Sequence, residues 1–472
     1  MATLAFHDFP KPVAETAAPA SDHAAADRPA ALRLVGFASM AVPIAGAGLP
    51  LAIFVPQLYA THFGIPLATI GFIFLLGRLW DVASDPIVGV LSDRTRSRFG
   101  RRKPWIAGGG LLFGLGSALL FFPPAALVGP LYLGLVLFVF YFGWTMIEIP
   151  FSAWAGEIDR DYHGRTRVVT YQLTLRSIGL LLTLILPTLL DQIRPGDGAL
   201  KLQVVGGFIL VTLFPALAAS LLAFREAPLP TVAPRRAGFW KTVRIVFSDR
   251  LLLRVLASDV AVTAGQSIRA GLIVFFAVNY MGLPAWASGL YLLQFVFGVL
   301  AGPIWLRIGY RFGKRQTAIL GELSQAAINI ALILVFPGML WLLVALAAAQ
   351  GLTQGSGNLM LRAMVGDVAD AHRVKTGHDR TGLFYSVFSL SAKLGPALGI
   401  GLALPLVAWF GFAPKGASTP GALEALKYVF ALGPAAAHIL AAALIWRFPL
   451  DQTAYAEVRR ALDQSETRTP TA

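Results

Sequence analysis

The sequence predicts an all-α membrane protein of twelve transmembrane helices arranged as two bundles of six. Three observations carry that prediction. The 472 residues are 56% hydrophobic and only 14% charged, with a mean hydropathy of +0.67, whereas soluble domains carry about 25% charged residues. Twelve apolar runs each approach the roughly 20 residues that a bilayer-spanning helix needs. Basic residues crowd alternate short loops, as membrane topology demands.

Taken in order, residues 1–30 are rich in Ala, Pro and Asp and lack a long apolar core. They are expected to form a disordered cytoplasmic tail, not a signal peptide. The first six spans fall at 33–60, 67–92, 105–123, 129–156, 165–190 and 202–223. A polar segment, 224–254, follows, with Arg225, Arg235, Arg236, Lys241, Arg244, Arg250 and Arg254 and prolines at 228, 230 and 234. The second six fall at 255–280, 284–306, 316–336, 339–365, 380–411 and 425–448. The expected units are thus a bundle at 31–223, a cytoplasmic loop at 224–254, a bundle at 255–450 and a second tail at 451–472.

The loops set the orientation. After span two come Arg94, Arg96, Arg98, Arg101, Arg102 and Lys103; after span four, Arg160, Arg165 and Arg167; after span eight, Arg307, Arg311, Lys314 and Arg315. The intervening loops near 122–130, 280–285 and 336–340 carry no basic residue. Both termini are therefore expected in the cytoplasm, in a chain that spans a bacterial inner (plasma) membrane. The formal charge of +14 is explained by these loops and calls for no nucleic-acid partner; the bilayer and a small solute are the expected partners, with the chain a monomer. The absence of cysteine excludes disulfides, thiolate metal sites and Cys nucleophiles.

Inside span two, Asp81 and Asp85 lie one helical turn apart on one face. A carboxylate at membrane depth costs several kcal/mol unless it is paired, hydrated, protonated or holding a cation. Arg78 can neutralise one of the two but hardly both, so the pair outlines a cation or proton site. Glu148, between Ile147 and Ile149 in span four, is either a third acid of that site or a partner for Arg78 or Arg176. The halves also echo each other: Arg98-Phe99-Gly100-Arg101-Arg102 returns as Arg311-Phe312-Gly313-Lys314-Arg315 after the second span of each half. Repeated six-span halves are the build of a major facilitator, which rocks around a midplane site.

The stretch Arg78-Leu79-Trp80-Asp81-Val82-Ala83-Ser84-Asp85-Pro86-Ile87-Val88-Gly89, followed by Asp93-Arg94-Thr95-Arg96-Ser97-Arg98-Phe99-Gly100-Arg101-Arg102-Lys103-Pro104-Trp105, resembles the glycoside–pentoside–hexuronide:cation symporters, the melibiose-permease branch of the major facilitators. Further matches are Thr145-Met146-Ile147-Glu148-Ile149-Pro150-Phe151 and the stretch from Asp367-Val368-Ala369-Asp370 through Arg380-Thr381-Gly382 to Ser386 and Lys393. The resemblance covers essentially all of 31–450. It implies a coupling cation, H+ or Na+, between spans two and four, held by Asp81, Asp85, Thr145, Glu148 and Ser84, with no other cofactor. Ser84 stands where the family has asparagine, and an amide carbonyl is the better hard-cation ligand, which tilts the expectation toward protons. The resemblance also implies that Lys393 in span eleven ties ion and sugar occupancy together; otherwise it would snorkel to an interface. Asp367 and Asp370 would pair with Arg165 and Arg167 as a cytoplasmic gate formed only when the carrier faces outward, or else sit in a solvated loop.

Two departures concern the sugar. Counting back from the span-two motif, the family's span-one acid falls near Ala45, and the glutamine before its span-eleven lysine is Phe388. A sugar needs its hydroxyls satisfied, so a simple galactoside fits poorly. The candidate substrate residues are instead Trp80, Tyr171, Gln172, Arg176, Asp259, Gln266, Arg269, Gln354 and Lys393, with Gln294, Gln350, Asn358 and Arg362 nearby. Arg176, Arg269 and Lys393 together suggest an anionic group on the solute. Trp80, Trp144 and Trp154 stack on a sugar or simply pack, and an Asn/Gln row is as often interhelical glue as a binding site. No HExxH, GxSxG or GxxxxGK[ST] motif appears, and an enzyme is not expected. His438, in Ala-rich surroundings, reads as packing. The function expected is cation-coupled symport of a glycoside- or uronide-like, anionic solute. A lysolipid or other amphiphile is the alternative. A non-transporting scaffold or receptor would leave the span-two acids without a role.

Overall fold

In the computed structural model the described residues are 30–159, 162–226, 239–416 and 418–467, with backbone alone described at 162, 163, 165, 239–243 and 465–467. The first half holds α1 (Ala31–Ala38), α2 (Ala41–Thr61), α3 (Leu67–Arg94), α4 (Lys103–Phe121), α5 (Pro130–Ile158), α6 (Tyr162–Ile193) and α7 (Gly198–Ala223). After α8 (Phe239–Ser248) come α9 (Arg250–Phe275), α10 (Gly289–Phe312), α11 (Lys314–Ala331), α12 (Leu340–Thr353), α13 (Ser356–Thr376), α14 (Thr381–Trp409), α15 (Pro420–Ile445) and α16 (Gln452–Thr467). Eleven of the twelve spans are helices long and apolar enough to cross a bilayer. Lipid offers no hydrogen-bond partners, so each span must close its own backbone bonds. The prolines inside α2, α3, α5, α6, α7, α10, α14 and α15 are tolerated where neighbouring helices cover the freed carbonyl.

The tenth span is the exception. It is two pieces, α12 and α13, joined at Gln354-Gly355, where Gly355 has φ 90°. That left-handed conformation is easy for glycine and costly for any residue with a Cβ. The apolar run 339–365 hid the break. Two other expectations also change. Within the expected loop 224–254, residues 239–248 form α8 and α9 already begins at Arg250. Within the expected tail, α16 packs on α13, with Tyr455 Oη donating to Asp370 at 2.8 Å. Most of the expected N-terminal tail and residues 227–238 lie outside the described residues.

The repeated basic loops turn alike. Gly100 and Gly313 occupy matching positions, both at positive φ, 107° and 82°. In the first half, Glu226 accepts from the backbone N–H groups of Arg101, Arg102 and Lys103 at 2.6–3.1 Å, while Glu157 binds both arginine side chains at 2.5 Å. In the second, Lys314 Nζ donates to Asp367 at 2.5 Å and Arg315 to the Phe448 carbonyl at 2.9 Å.

Packing between the halves runs mainly through α3 with α14, α2 with α9 and α6 with α10. Its close contacts lie toward the end opposite the basic loops. Gly71 abuts Pro405, Gln192 donates to the Ala285 carbonyl at 2.8 Å, and Lys415 Nζ reaches the His62 carbonyl at 3.4 Å. There Asp191, fully buried and paired with Lys201, accepts from the backbone N–H of Ser288, the residue capping α10 of the other half, at 3.0 Å. One apolar core runs the length of the first half and joins the second at this end, whereas a second core nearer the basic loops contains only second-half residues. Among the described residues, the close contacts between the halves thus gather at one face.

Candidate cation and substrate site

At mid-depth, α3 presents Asp81 and Asp85 one turn apart to α5 and α14. Thr145 of α5 donates its single hydroxyl proton toward Asp81 Oδ1 at 2.8 Å and lies 3.2 Å from Asp85 Oδ1, and Ser84 Oγ lies 3.3 Å from Thr145 Oγ1. Lys393 of α14 bridges both acids across the halves, 2.6 Å from Asp85 Oδ2 and 3.2 Å from Asp81 Oδ1. Arg78 completes the cluster 3.4 Å from Asp81 Oδ2, its guanidinium over the Tyr141 ring. Asp81 is 2% exposed. Two carboxylates face two cations, which is how four charges survive at this depth. The ammonium of Lys393 sits among the same oxygen donors that a coupling ion would use.

Glu148 is not part of this cluster. Its carboxylate accepts from Arg176 Nη2 at 2.6 Å, and no hydrogen bond or ion pair links it to Asp81 or Asp85 among the described residues. The expected convergence of three acids is thus two acids plus a separate Glu148–Arg176 pair between α5 and α6. The expected surplus of positive charge shrinks accordingly. Lys393 is neutralised by the aspartates and Arg176 by Glu148, which leaves Arg269.

Arg269 of α9 is 2% exposed and has no carboxylate within 4 Å among the described residues. Neutral amides hold it instead: Nε donates to Gln294 at 3.1 Å and Nη1 to Asn329 at 3.2 Å, with the guanidinium over Phe430. Gln294 passes the network on to Gln354 at 2.5 Å, at the break between α12 and α13. Gln354 and Gly355 face a cavity of about 330 Å³ between the halves, walled by Leu49, Leu180, Tyr291 and Phe295. Beside it, Gln266 donates to Asn358 at 2.8 Å. The amides therefore act partly as glue within the second half and partly as cavity wall.

The remaining candidates fall elsewhere. Trp80 stacks on Phe138 at 4.5 Å and leans on Phe142, within an aromatic group at the outer side of α3 and α5. Trp144 and Trp154 are packed against Phe113 and Phe37. Asp259 is buried and accepts from Ser391 at 2.9 Å, inside the second half. Tyr171 lies under the Arg167 guanidinium, and Gln172 is half-buried. For the expected gate, Asp367 pairs with Lys314 and Asp370 with Tyr455, both within the second half. The close contacts between the halves lie toward the other face, and each acid takes a local partner here; the Arg165 side chain lies outside the described residues. His438, read as packing, bonds Glu322 at 2.5 Å in the core of the second half. Sequence reading missed this pair because 116 residues separate its members.

Two six-helix bundles around a charged cluster at mid-depth define a major facilitator. A family profile described as MFS/sugar transport protein matches residues 36–452, and the chain belongs to that family. Among its relatives, an uncharacterized symporter of Synechocystis sp. is 26% identical, over 84% of this chain and 90% of that protein. A putative glycoside/cation symporter of Escherichia coli is 25% identical over 80% and 82%. The human sodium-dependent lysophosphatidylcholine symporter 1 is 22% identical over 83% and 78%. The fold matches a crystal structure of the nucleoside transporter NupG with a TM-score of 0.67 at 13% identity, over 88% of this chain and 100% of that one.

Proposed function

We propose that the chain is a cation-coupled symporter that moves a small polar solute of glycoside or uronide type by alternating access, with its basic loops and both termini in the cytoplasm. The observation that carries this reading is Lys393 of one half bridging Asp81 and Asp85 of the other. A cation or proton arriving at the aspartates competes with that ammonium. Its release from the pair loosens a tie between the halves and frees a positive charge at their interface. Ion occupancy and conformation are thereby linked, which is what symport requires. Thr145 and Ser84 supply hydroxyl oxygens for the ion, and the hydroxyl at Ser84 favours a proton over sodium.

On the solute side, the amide chain from Arg269 through Gln294 to Gln354 offers directional hydrogen bonds to hydroxyl groups, and Arg269 offers a counter-charge for one carboxylate. A second reading, an anionic or zwitterionic amphiphile, is favoured by the apolar walls of the same cavity, Leu49, Leu180 and Phe295. The lysophosphatidylcholine symporters among the relatives point the same way.

The test is uptake by proteoliposomes of a sugar and uronide panel against a lysolipid panel, under an imposed proton or sodium gradient. Accumulation of a uronide or glycoside driven by either gradient is expected, and Asp81→Asn and Asp85→Asn should abolish accumulation while exchange persists. Gradient-driven lysolipid uptake alone would move the assignment to the second reading. If both variants still concentrate the solute, the ion site is misassigned.

A further inference from the structure

A second charged cavity, remote from the ion cluster, opens where α8, α9, α13 and α14 end on the basic-loop face. It measures about 720 Å³ and is lined by Arg244, Arg250, His372, Lys375 and Arg380, with Asp249 as its acid. Asp249 is already engaged. It accepts from the backbone N–H groups of Leu251 and Leu252 at 3.0 and 3.1 Å, and its other oxygen lies 3.1 Å from His372 Nδ1. Arg380 Nη1 lies 3.2 Å from His372 Nε2. An arginine can only donate, so Nε2 is the acceptor and the imidazole proton sits on Nδ1, facing Asp249. The acid is therefore already met by three donors. Arg244, Arg250 and Lys375 are exposed and make no ion pair among the described residues. Three cations around one cavity repel each other, and an anion is the natural occupant.

The depth of the cavity says which anion. Its lining includes Arg250, the first residue of the span Arg250–Tyr280, and Arg380, just before the span Thr381–Trp409. Helices of 31 and 29 residues run about 45 Å at 1.5 Å per residue, the thickness of a bilayer with its headgroups, so their ends reach headgroup level. Beside it, α8 carries Phe247 at 69% exposure, three residues from Arg244, the pairing of apolar and basic side chains found in helices that lie on a membrane surface. We infer that this cavity binds a phosphate-bearing anion, the headgroup of an anionic membrane lipid, and so clamps α8 to the ends of α13 and α14.

Delipidated full-length protein in detergent tests this. Phosphatidylglycerol, phosphatidylcholine and inorganic phosphate are titrated separately while the unfolding temperature is followed and bound lipid is counted by native mass spectrometry. Phosphatidylglycerol is expected to raise the unfolding temperature and to be retained at least threefold over phosphatidylcholine. Arg244→Gln combined with Arg250→Gln and Lys375→Gln should remove that preference. Arg307→Gln with Arg311→Gln, which alters exposed charge elsewhere on the same face, should leave it intact. Should the triple variant fail to purify, Arg244→Gln alone should halve the preference. A shift produced by inorganic phosphate, lost in the triple variant and unaccompanied by lipid preference, supports the anion site and overturns its assignment to lipid. Equal behaviour of the triple variant and the native chain toward all three probes, or equal loss in the Arg307/Arg311 control, overturns the proposal.

Discussion

The two halves solve the problem of polarity in a membrane differently. In the first, charge answers charge: Asp81 and Asp85 are met by Arg78 and, from across the interface, by Lys393. In the second, Arg269, the one buried guanidinium without an acid among the described residues, is held by neutral amides, and Gln266, Gln294, Gln325, Gln350 and Gln354 bond to one another or to nearby amide groups. Ion pairs are long-ranged and respond to an arriving ion, while amide bonds are short, directional and indifferent to it. On the function proposed above, ion sensing falls to the first half and solute orientation to the second, with Lys393 as the residue that belongs to both.

The hardest test of that division is Lys393→Ala. It leaves two buried acids with one arginine, a deficit on the scale of about 3–5 kcal/mol for a broken buried pair. Gradient-driven accumulation should fall by about a hundredfold, about 2.8 kcal/mol at 1.4 kcal/mol per decade, while solute binding measured at zero gradient changes far less. Equal losses in both would merge the two roles. Arg269→Gln probes the other side. The apparent Kd for an anionic solute should rise about tenfold, about 1.4 kcal/mol, with neutral analogues and ion dependence little changed. An altered ion dependence in this variant would break the comparison.

A smaller readout is expected at the closed face, where Asp191 reaches the Ser288 N–H of the opposite half. Asp191→Asn weakens that hydrogen bond, typically about 0.5–1.5 kcal/mol, and also leaves the buried Lys201 without its carboxylate, a loss of stability on the scale of about 3–5 kcal/mol. Because the chain has no cysteine, Phe54→Cys, at a buried position on that side, can report opening by maleimide labelling. Its labelling rate should rise about threefold in the Asp191→Asn background, and an unchanged rate would remove Asp191 from the latch. The smallest change is Gly355→Ala. No atom lies within 4 Å of a Cβ built there, so the cost is conformational alone, about 1 kcal/mol, read as a lowered unfolding temperature.

The architecture was legible because lipid enforces it: apolar runs and basic loops follow from the bilayer, whatever the solute. Asp81 and Asp85 were legible for the same reason, since two acids on one helical face stand out in a largely apolar span. What stayed hidden depends on which helix faces which. Glu148 and Arg176 lie 28 residues apart on α5 and α6, and only their packing shows that they satisfy each other. The break at Gln354-Gly355 did leave a signal, since residues 350–358 hold three glycines with Thr353 and Ser356, but the apolar residues on both sides read as one continuous span. Likewise α16 reads as a polar tail, and its contact with α13 through Tyr455 and Asp370 is a tertiary fact that composition does not carry.

The broken tenth span has a mechanical meaning. Its α12 leans on α10 and α11, whereas α13 packs with α9, α11, α14 and α16. One span thus meets two sets of neighbours that share α11, and Gly355 is the joint where its two pieces can turn against each other without bending a continuous rod. Gln354 sits on that joint and touches the cavity, so a solute that grips its amide holds a lever arm as well as a wall.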